Sequence, residues 1–103
     1  MSSIDLKKPS KSLEKELGYS VKEFLTTLKR QKIFLETQIF DDHIEIKLVH
    51  GKVALFFIEE TERRIASMRL PLLRVRMELF SLDDEQEKHF FRQFLRAFQK
   101  GGG

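Results

Sequence analysis

The sequence predicts an α+β fold: an antiparallel β-meander of four to five strands with an N-terminal and a C-terminal helix packed on one face. Three observations predict it. The middle of the chain alternates apolar and polar residues with a period of two. The segments on either side of it carry apolar residues at helical spacing. The turns between the alternating runs are short, so neighbouring strands are expected to pair.

A chain of 103 residues is expected to form one domain. We divide it into a flexible N-terminal arm (1–12), a single α+β domain (13–100) and a flexible glycine tail (101–103). The arm is polar and has little surface to bury. Leu13 and Leu17, four residues apart, suggest one helical turn at the start of the domain.

A capping-box pattern, Ser20 followed by Glu23, predicts the start of the first helix. Behind it the apolar residues fall at i, i+3, i+4 and i+7, which is one stripe of a helix over 21–31. Their polar neighbours fall on the opposite side. The stripe consists of Val21, Phe24, Leu25 and Leu28.

Two alternating runs and one continuous apolar run follow. The first two begin at Ile33 and at Ile44, and Asp41-Asp42 marks the turn between them. His50-Gly51 marks the next turn, where glycine tolerates a positive φ. Val53–Ile58 is apolar at every position, which is typical of a strand covered on both faces. We therefore expect this strand to lie at the centre of the sheet.

The following segment is less regular. Glu59–Glu62 is polar and predicts a turn, and Arg63–Leu70 predicts an irregular strand. Pro71 has no N–H to donate and predicts a break or a strand start. The alternation of Leu73–Leu79 predicts a half-exposed strand.

The last helix is predicted from a phenylalanine stripe. Ser81 is the expected cap, and the acidic residues of 83–85 suit the first turn of a helix. Gly101 is the expected helix end. The stripe consists of Phe90, Phe91, Phe94, Leu95 and Phe98.

Composition restricts the function classes. The chain has ten Phe, no Trp and one Tyr, an apolar choice that favours a core or a dry interface. Its net charge of +3 is too small by itself to indicate nucleic-acid binding. The absence of Cys fits a reducing compartment. No signal peptide or membrane-spanning run is visible, so we expect a cytoplasmic protein with no membrane partner.

The first candidate site is the face of the sheet that two helices cannot cover. Val53–Ile58 is apolar at both its odd and its even positions, and successive side chains of a strand point to opposite faces. One of two sets must therefore point away from the helices: Ala54, Phe56 and Ile58, or Val53, Leu55 and Phe57. We take Ala54, Phe56 and Ile58 as interface candidates. A contiguous exposed apolar patch is uncommon on a monomer, which favours a homodimer or a protein partner. The alternative is that the N-terminal segment with Leu13, Leu17 and Tyr19 folds over this face, or that the curvature of the strands hides it.

An arginine-rich surface is the second candidate. Arg64, Arg69, Arg74 and Arg76 could combine with aromatic residues to bind RNA or single-stranded DNA. The alternative is a solvated face whose arginines pair with glutamates on neighbouring strands. The order helix, strands, helix also resembles the double-stranded RNA-binding domain. That family has a lysine-rich start to its last helix, where this chain has acidic residues.

Glu87 is a candidate buried acid because it falls within the phenylalanine stripe. The alternative is a position at the rim of the core, where it meets an arginine such as Arg69. The three histidines and the serines and threonines show no metal-site or triad pattern, so we expect no catalytic, metal or cofactor site.

The last third of the chain resembles a group of short uncharacterised bacterial proteins. The resemblance lies in Arg64-Ile65, Met68-Arg69-Leu70-Pro71, Phe94-Leu95 and the terminal Lys100-Gly101-Gly102-Gly103. It implies a native glycine tail and brings no activity, cofactor or functional residue.

From the residues we therefore predict a non-enzymatic interaction module that is homodimeric or binds a protein partner through the open face of its sheet. Binding of RNA or single-stranded DNA is the alternative.

Overall fold

The computed structural model describes residues 9–31, Phe34 and residues 36–98. It contains one five-stranded antiparallel sheet in the order β1-β5-β4-β3-β2, together with two helices. The predicted α+β fold class is confirmed. The elements in chain order are β1 (Lys11–Leu17), α1 (Val21–Gln31), β2 (Glu36–Ile39), β3 (His43–Lys47), β4 (Lys52–Ile65), β5 (Met68–Phe80) and α2 (Asp84–Ala97).

The first element is a strand that sequence reasoning missed. β1 pairs antiparallel with β5, from Lys11 opposite Leu79 to Leu17 opposite Leu73. The predicted helical turn at Leu13 and Leu17 is therefore wrong. A spacing of four fits one turn of a helix, but it also fits one face of a strand, and both leucines pack against the core.

The predicted boundaries at the two ends are affected differently. Lys11 and Ser12, placed by sequence in the flexible arm, belong to β1. Of the rest of the predicted arm, Pro9 and Ser10 are described, and Ser10 donates hydrogen bonds to the Leu79 carbonyl. Residues 1–8 lie outside the described residues, as does the glycine tail with its expected helix end at Gly101.

The first helix follows the prediction. α1 spans Val21–Gln31, and its capping box is formed as expected. The hydroxyl of Ser20 accepts a hydrogen bond from the Glu23 amide at 3.1 Å, and the Glu23 carboxylate accepts one from the Ser20 amide at 3.1 Å. A third bond comes from a distant strand, because the Glu60 carboxylate accepts from the Val21 amide at 2.9 Å. This bond ties the start of α1 to β4.

Strands β4 and β5 are much longer than predicted. The polar segment Glu59–Glu62 is part of β4 and pairs with β5, so the predicted turn there is wrong. The real turn is at Ala66 and Ser67, where Ala66 has a positive φ of 56°. Polarity indicates exposure to solvent, and here it marks a strand exposed on both faces.

Pro71 lies inside β5, where a break or strand start was expected. It lies beyond Leu73, at which β1 ends, so one edge of β5 has no strand partner at this point within the described ranges. A free edge is the setting in which a strand tolerates proline, since no ladder hydrogen bond is lost there.

Both helices pack on the same face of the sheet. That face carries every second residue of the central strands, including Val53, Leu55 and Met77, each fully buried. The helices contribute Phe24 from α1 and a phenylalanine row from α2. Phe24 stacks on Phe98 with ring centroids 4.5 Å apart. The phenylalanines that composition marked as core or interface residues are thus largely core residues.

The N-cap of α2 is Asp83, where sequence reasoning placed Ser81. Its carboxylate accepts from the Gln86 amide at 2.8 Å, and the Gln86 side chain accepts from the Asp83 amide at 2.9 Å. Ser81 instead occupies the turn after β5 with a φ of 61°. An N-cap needs extended backbone, which Asp83 has with φ −86° and ψ 178°.

Candidate interaction surface

A row of stacked side chains crosses the open face of the sheet, on the side away from the helices. The Arg76 guanidinium lies 4.9 Å from the ring centroid of Phe56. Phe56 stacks on His43 at 4.9 Å, and His43 stacks on Phe40 at 4.6 Å. The register produces this order, since Phe56 lies opposite both His43 of β3 and Arg76 of β5. We call these four residues the stacked row.

His43 is held in the stacked row by two carboxylates. Its Nδ1 lies 2.8 Å from Asp42 and its Nε2 lies 3.2 Å from Glu45. Burial alone would lower the pKa of His43, but the hydrogen bonds to Asp42 and Glu45 outweigh it and raise the pKa above its ordinary value. The bond to His43 in turn lowers the pKa of Asp42. The row therefore favours a protonated imidazole between two aromatic rings.

The raised pKa of His43 predicts a pH-dependent contribution to stability. The contribution is complete below the ordinary histidine pKa of about 6.5 and is lost as the pH rises through the higher folded-state value. We expect His43→Gln to lower the free energy of unfolding more at mildly acidic pH than at mildly alkaline pH, as measured by urea titration.

The matched background for this measurement is Asp42→Asn/Glu45→Gln, which removes both carboxylates that face the imidazole. In that background the cost of His43→Gln should no longer depend on pH in this way. Equal costs at the two pH values in the wild-type background would contradict the prediction.

Ion pairs surround the stacked row. Arg74 pairs with Glu59 at 3.3 Å, and Arg76 pairs with Glu78 at 3.2 Å. Lys52 pairs with Glu45 at 2.7 Å. Each of these cations already has a carboxylate beside it, and carboxylates repel phosphate. The open face is therefore a poor track for a nucleic-acid backbone.

The three predicted interface residues lie at different depths. Ala54 is only 3% exposed, since its cross-strand neighbours are Glu45 and Glu78. Phe56 is half-buried within the stacked row. Ile58 is 38% exposed, next to an irregularity in the register of β4 and β5. The sheet does not combine them into one broad apolar patch, because charged side chains flank Ala54 and Phe56 on the neighbouring strands and Ile58 lies at the register irregularity.

The strongest exposed feature is an extension of the sheet. The pairing of β3 with β4 stops at the first residue of β3, His43, opposite Phe56, and the pairing of β1 with β5 stops at the last residue of β1, Leu17, opposite Leu73. Beyond these points β4 and β5 pair only with each other in the part of the chain that the structure describes. We call residues 58–72 the ribbon. All residues from Ile58 to Leu70 are exposed.

One face of the ribbon is apolar at its tip. Ile65 lies opposite Met68 and Arg63 lies opposite Leu70, on the face that continues the open face of the sheet. Ile65 is 51% exposed, Met68 59% and Leu70 37%. We call Ile65, Met68 and Leu70 the apolar tip. Two-stranded hairpins are marginally stable in water without a face to pack against.

The four candidate nucleic-acid arginines are divided between two faces. Arg74 and Arg76 lie on the open face of the sheet, in ion pairs. Arg64 and Arg69 lie opposite each other on the other face of the ribbon. Neither has an ion-pair partner among the described residues. Arg69 alternates with Arg74 and Arg76 along β5, but a break was expected at Pro71, so sequence reasoning did not join them in one strand. The position of Arg64 depends on where the hairpin turns, which the sequence did not show.

Glu87 is a buried acid with a partner. Its carboxylate lies 3.2 Å from the Lys11 ammonium, and its side chain is 11% exposed. The expected arginine partner, Arg69, is in the ribbon, while the observed partner comes from the unpredicted strand β1. The pair joins β1 to α2 across the edge of the sheet.

A cleft between α2 and the turn after β3 has a volume of about 520 Å³, which is within the range of small-ligand sites. Phe34, Leu48 and Phe90 contribute apolar wall, and His50 and His89 contribute polar atoms. No described group of three or more His, Cys, Asp or Glu residues is arranged to hold a metal ion. Sequence reasoning missed this cleft, whose walls come from distant segments.

Comparison with protein-family models, curated proteins and solved structures finds no significant match. The resemblance to short bacterial proteins therefore stays a prediction. Among the described residues, no helix is long and apolar enough to cross a membrane.

Proposed function

We propose that this chain is a non-enzymatic interaction module that binds a protein through the ribbon and the adjoining open face of the sheet. The observation that carries the assignment is the ribbon, which extends β4 and β5 beyond the rest of the sheet with an apolar tip exposed. The cytoplasmic location and bacterial origin expected from the sequence stay predictions.

The exposed tip favours a partner on energetic grounds. Ile65, Met68 and Leu70 are between 37% and 59% exposed, so a partner that covers them would gain roughly half of the 1.5–3 kcal/mol that burying a fully exposed side chain of this kind is worth. The three residues are adjacent across two strands, so one partner surface could cover them together. Scattered apolar residues need no explanation, but an adjacent group of them at the end of an extension favours an interface.

The edges of the ribbon support the same assignment. Both strands have an outer edge with no strand partner in the described part of the chain. Such an edge presents backbone N–H and C=O groups to an incoming strand, which is a common mode of protein recognition. The apolar tip and the free edges would give one partner both side-chain and main-chain contacts.

Nucleic acid is the second candidate partner, and one observation favours it. Arg64 and Arg69 face each other on an exposed ribbon without carboxylate partners within the described ranges. Guanidinium groups so placed suit phosphate. Against it, Arg74 and Arg76 are already paired with Glu59 and Glu78, so the basic surface is limited to the ribbon.

A photo-crosslinking amino acid at Met68 tests the two candidates. Leu95 is the matched control, because it is apolar and 56% exposed but lies on α2. We expect irradiation in cells to give a defined protein adduct from position 68 and no such adduct from position 95. The adducted protein, purified, should bind the chain saturably, and Met68→Glu/Leu70→Glu should abolish that binding.

Three results would count against a protein partner. The first is that position 68 gives no adduct, the second is that both positions give the same adducts, and the third is that position 68 gives a nucleic-acid adduct. The last result would support the second candidate instead.

A further inference from the structure

We infer that the cleft beside α2 binds a small amphiphilic carboxylate, a molecule with one carboxylate group on an apolar body. The cleft has a volume of about 520 Å³ and lies between α2 and the turn that joins β3 to β4. We call it the α2 cleft. It is a different part of the molecule from the ribbon, so this inference goes beyond the proposed function and does not depend on it.

The floor of the α2 cleft is apolar and is fixed by the core. Phe34, Leu82 and Phe90 line the cleft and are 8%, 8% and 1% exposed. The rings of Phe34 and Phe90 pack together with their centroids 5.4 Å apart. All three residues belong to the hydrophobic core cluster. Because the core holds them in place, the floor is formed without a ligand, as it is in most small-molecule sites.

The rim of the α2 cleft carries hydrogen-bond donors. Lys47 ends β3, His50 lies in the turn after it, and His89 lies on α2; all three are exposed. Their side chains have no hydrogen-bond or ion-pair partner among the residues that the structure describes. An ammonium donates three hydrogen bonds, and an imidazole donates through at least one ring nitrogen in either tautomer. Three unpaired donors therefore stand around an apolar floor.

The balance of charge at the rim favours an anionic head group. Glu85 is the one acidic side chain that the described residues contribute to the α2 cleft. It lies in the first turn of α2, where the positive end of the helix dipole favours a carboxylate, so its place has an explanation without a ligand. The three donors outnumber it. Lys47 is the only one of them with a permanent charge, which matches a single carboxylate better than a polyanion.

The rim also offers apolar contact to the body of such a ligand. Val49 is 93% exposed on the turn side of the α2 cleft, while Leu48 beside it is half-buried. A ligand that rests on the floor would contact both. A volume of about 520 Å³ is within the range of sites for drug-sized molecules. A short fatty acid and an arylalkanoic acid both have the required chemistry, and the test below distinguishes them.

An amide NMR titration of the whole chain tests the site with defined probes. The acids are octanoate and phenylbutyrate, and their matched counterparts are octanamide, phenylbutanamide and octylamine. We expect saturable binding of one or both acids, with shift changes centred on residues 47–51 and 82–93. The neutral and cationic counterparts should bind at least about tenfold more weakly, because they cannot form charge-assisted hydrogen bonds with the donors of the rim. Saturation by only one acid would identify the body as aliphatic or aromatic.

A double substitution at the rim tests the role of the donors. Lys47→Gln/His89→Gln removes the ammonium and one imidazole, and both positions are exposed, so the fold should be unaffected. We expect it to raise the dissociation constant of the acid at least about fivefold and to leave that of the matching amide unchanged. Lys22→Gln/Lys29→Gln, on the exposed side of α1, is the control and should bind the acid as the wild type does. Circular dichroism checks the fold of both variants.

Four results would overturn the inference. The first is that neither acid gives saturable shifts at concentrations up to about 10 mM. The second is equal affinity for an acid and its amide, and the third is tighter binding of octylamine, which would assign the head group to Glu85. The fourth is an unchanged affinity for the acid in Lys47→Gln/His89→Gln. The α2 cleft and the ribbon share no residue, so these results and the crosslinking result at position 68 are independent.

Discussion

Phe94→Ala is expected to lower the free energy of unfolding by about 3–5 kcal/mol, measured by urea denaturation. Phe94 is fully buried at the centre of the aromatic cluster. Its ring centroid lies 4.7 Å from that of Phe98, 5.9 Å from that of Phe90 and 6.4 Å from that of Phe24. Removing the ring takes contacts from both helices at once and leaves a cavity that the rigid sheet cannot close.

The control is the next residue along the same helix. Leu95 is 56% exposed, so Leu95→Ala should change the free energy of unfolding by no more than about 0.5 kcal/mol. Both substitutions place alanine in α2, so helix propensity affects them similarly. Comparable losses from the two variants would show that Phe94 does not occupy the centre of the core.

Gly51→Ala is expected to cost about 1–3 kcal/mol, because the new methyl group has no space. A Cβ atom at Gly51 would be in hard contact with the Phe80 carbonyl oxygen and only 2.9 Å from the Ser81 carbonyl oxygen. These are backbone atoms, so they cannot rotate away as a side chain could. The turn after β3 would have to separate from the end of β5.

Gly18→Ala is the matched control for this prediction. No heavy atom lies within 4 Å of a Cβ built at Gly18. Its substitution should be neutral or should stabilise the chain by up to about 1 kcal/mol, since alanine restricts the unfolded chain. Thermal or urea unfolding measures both variants. A neutral effect of Gly51→Ala would contradict the close approach of Gly51 to the backbone at the end of β5.

Gly51 also shows how a residue can be predicted correctly for an incomplete reason. The sequence predicts a turn at His50-Gly51, and the turn is present, with the Leu48 amide donating to the Gly51 carbonyl at 2.8 Å. The expected reason was tolerance of a positive φ. The observed reason is close approach to the backbone at the end of β5, a distant segment that no local pattern could indicate.

The candidate surface was predictable only in part. The alternation of β5 placed Arg74 and Arg76 on one face, as observed. The stacking of Arg76 on Phe56, however, depends on the register between β4 and β5. The polar run Glu59–Glu62 concealed the ribbon, because the sequence pattern of a doubly exposed strand is hard to distinguish from that of a turn.

By itself the sequence determined the elements whose residue spacing directly reflects burial. Helix α1 and the aromatic face of α2 follow from apolar residues at helical spacing, and the central place of β4 follows from Val53–Ile58. Only the tertiary structure decided that Lys11–Leu17 is a strand and that β4 and β5 continue into a ribbon. The reason is physical: periodicity records what one segment buries, whereas strand pairing depends on a second segment far away in the chain.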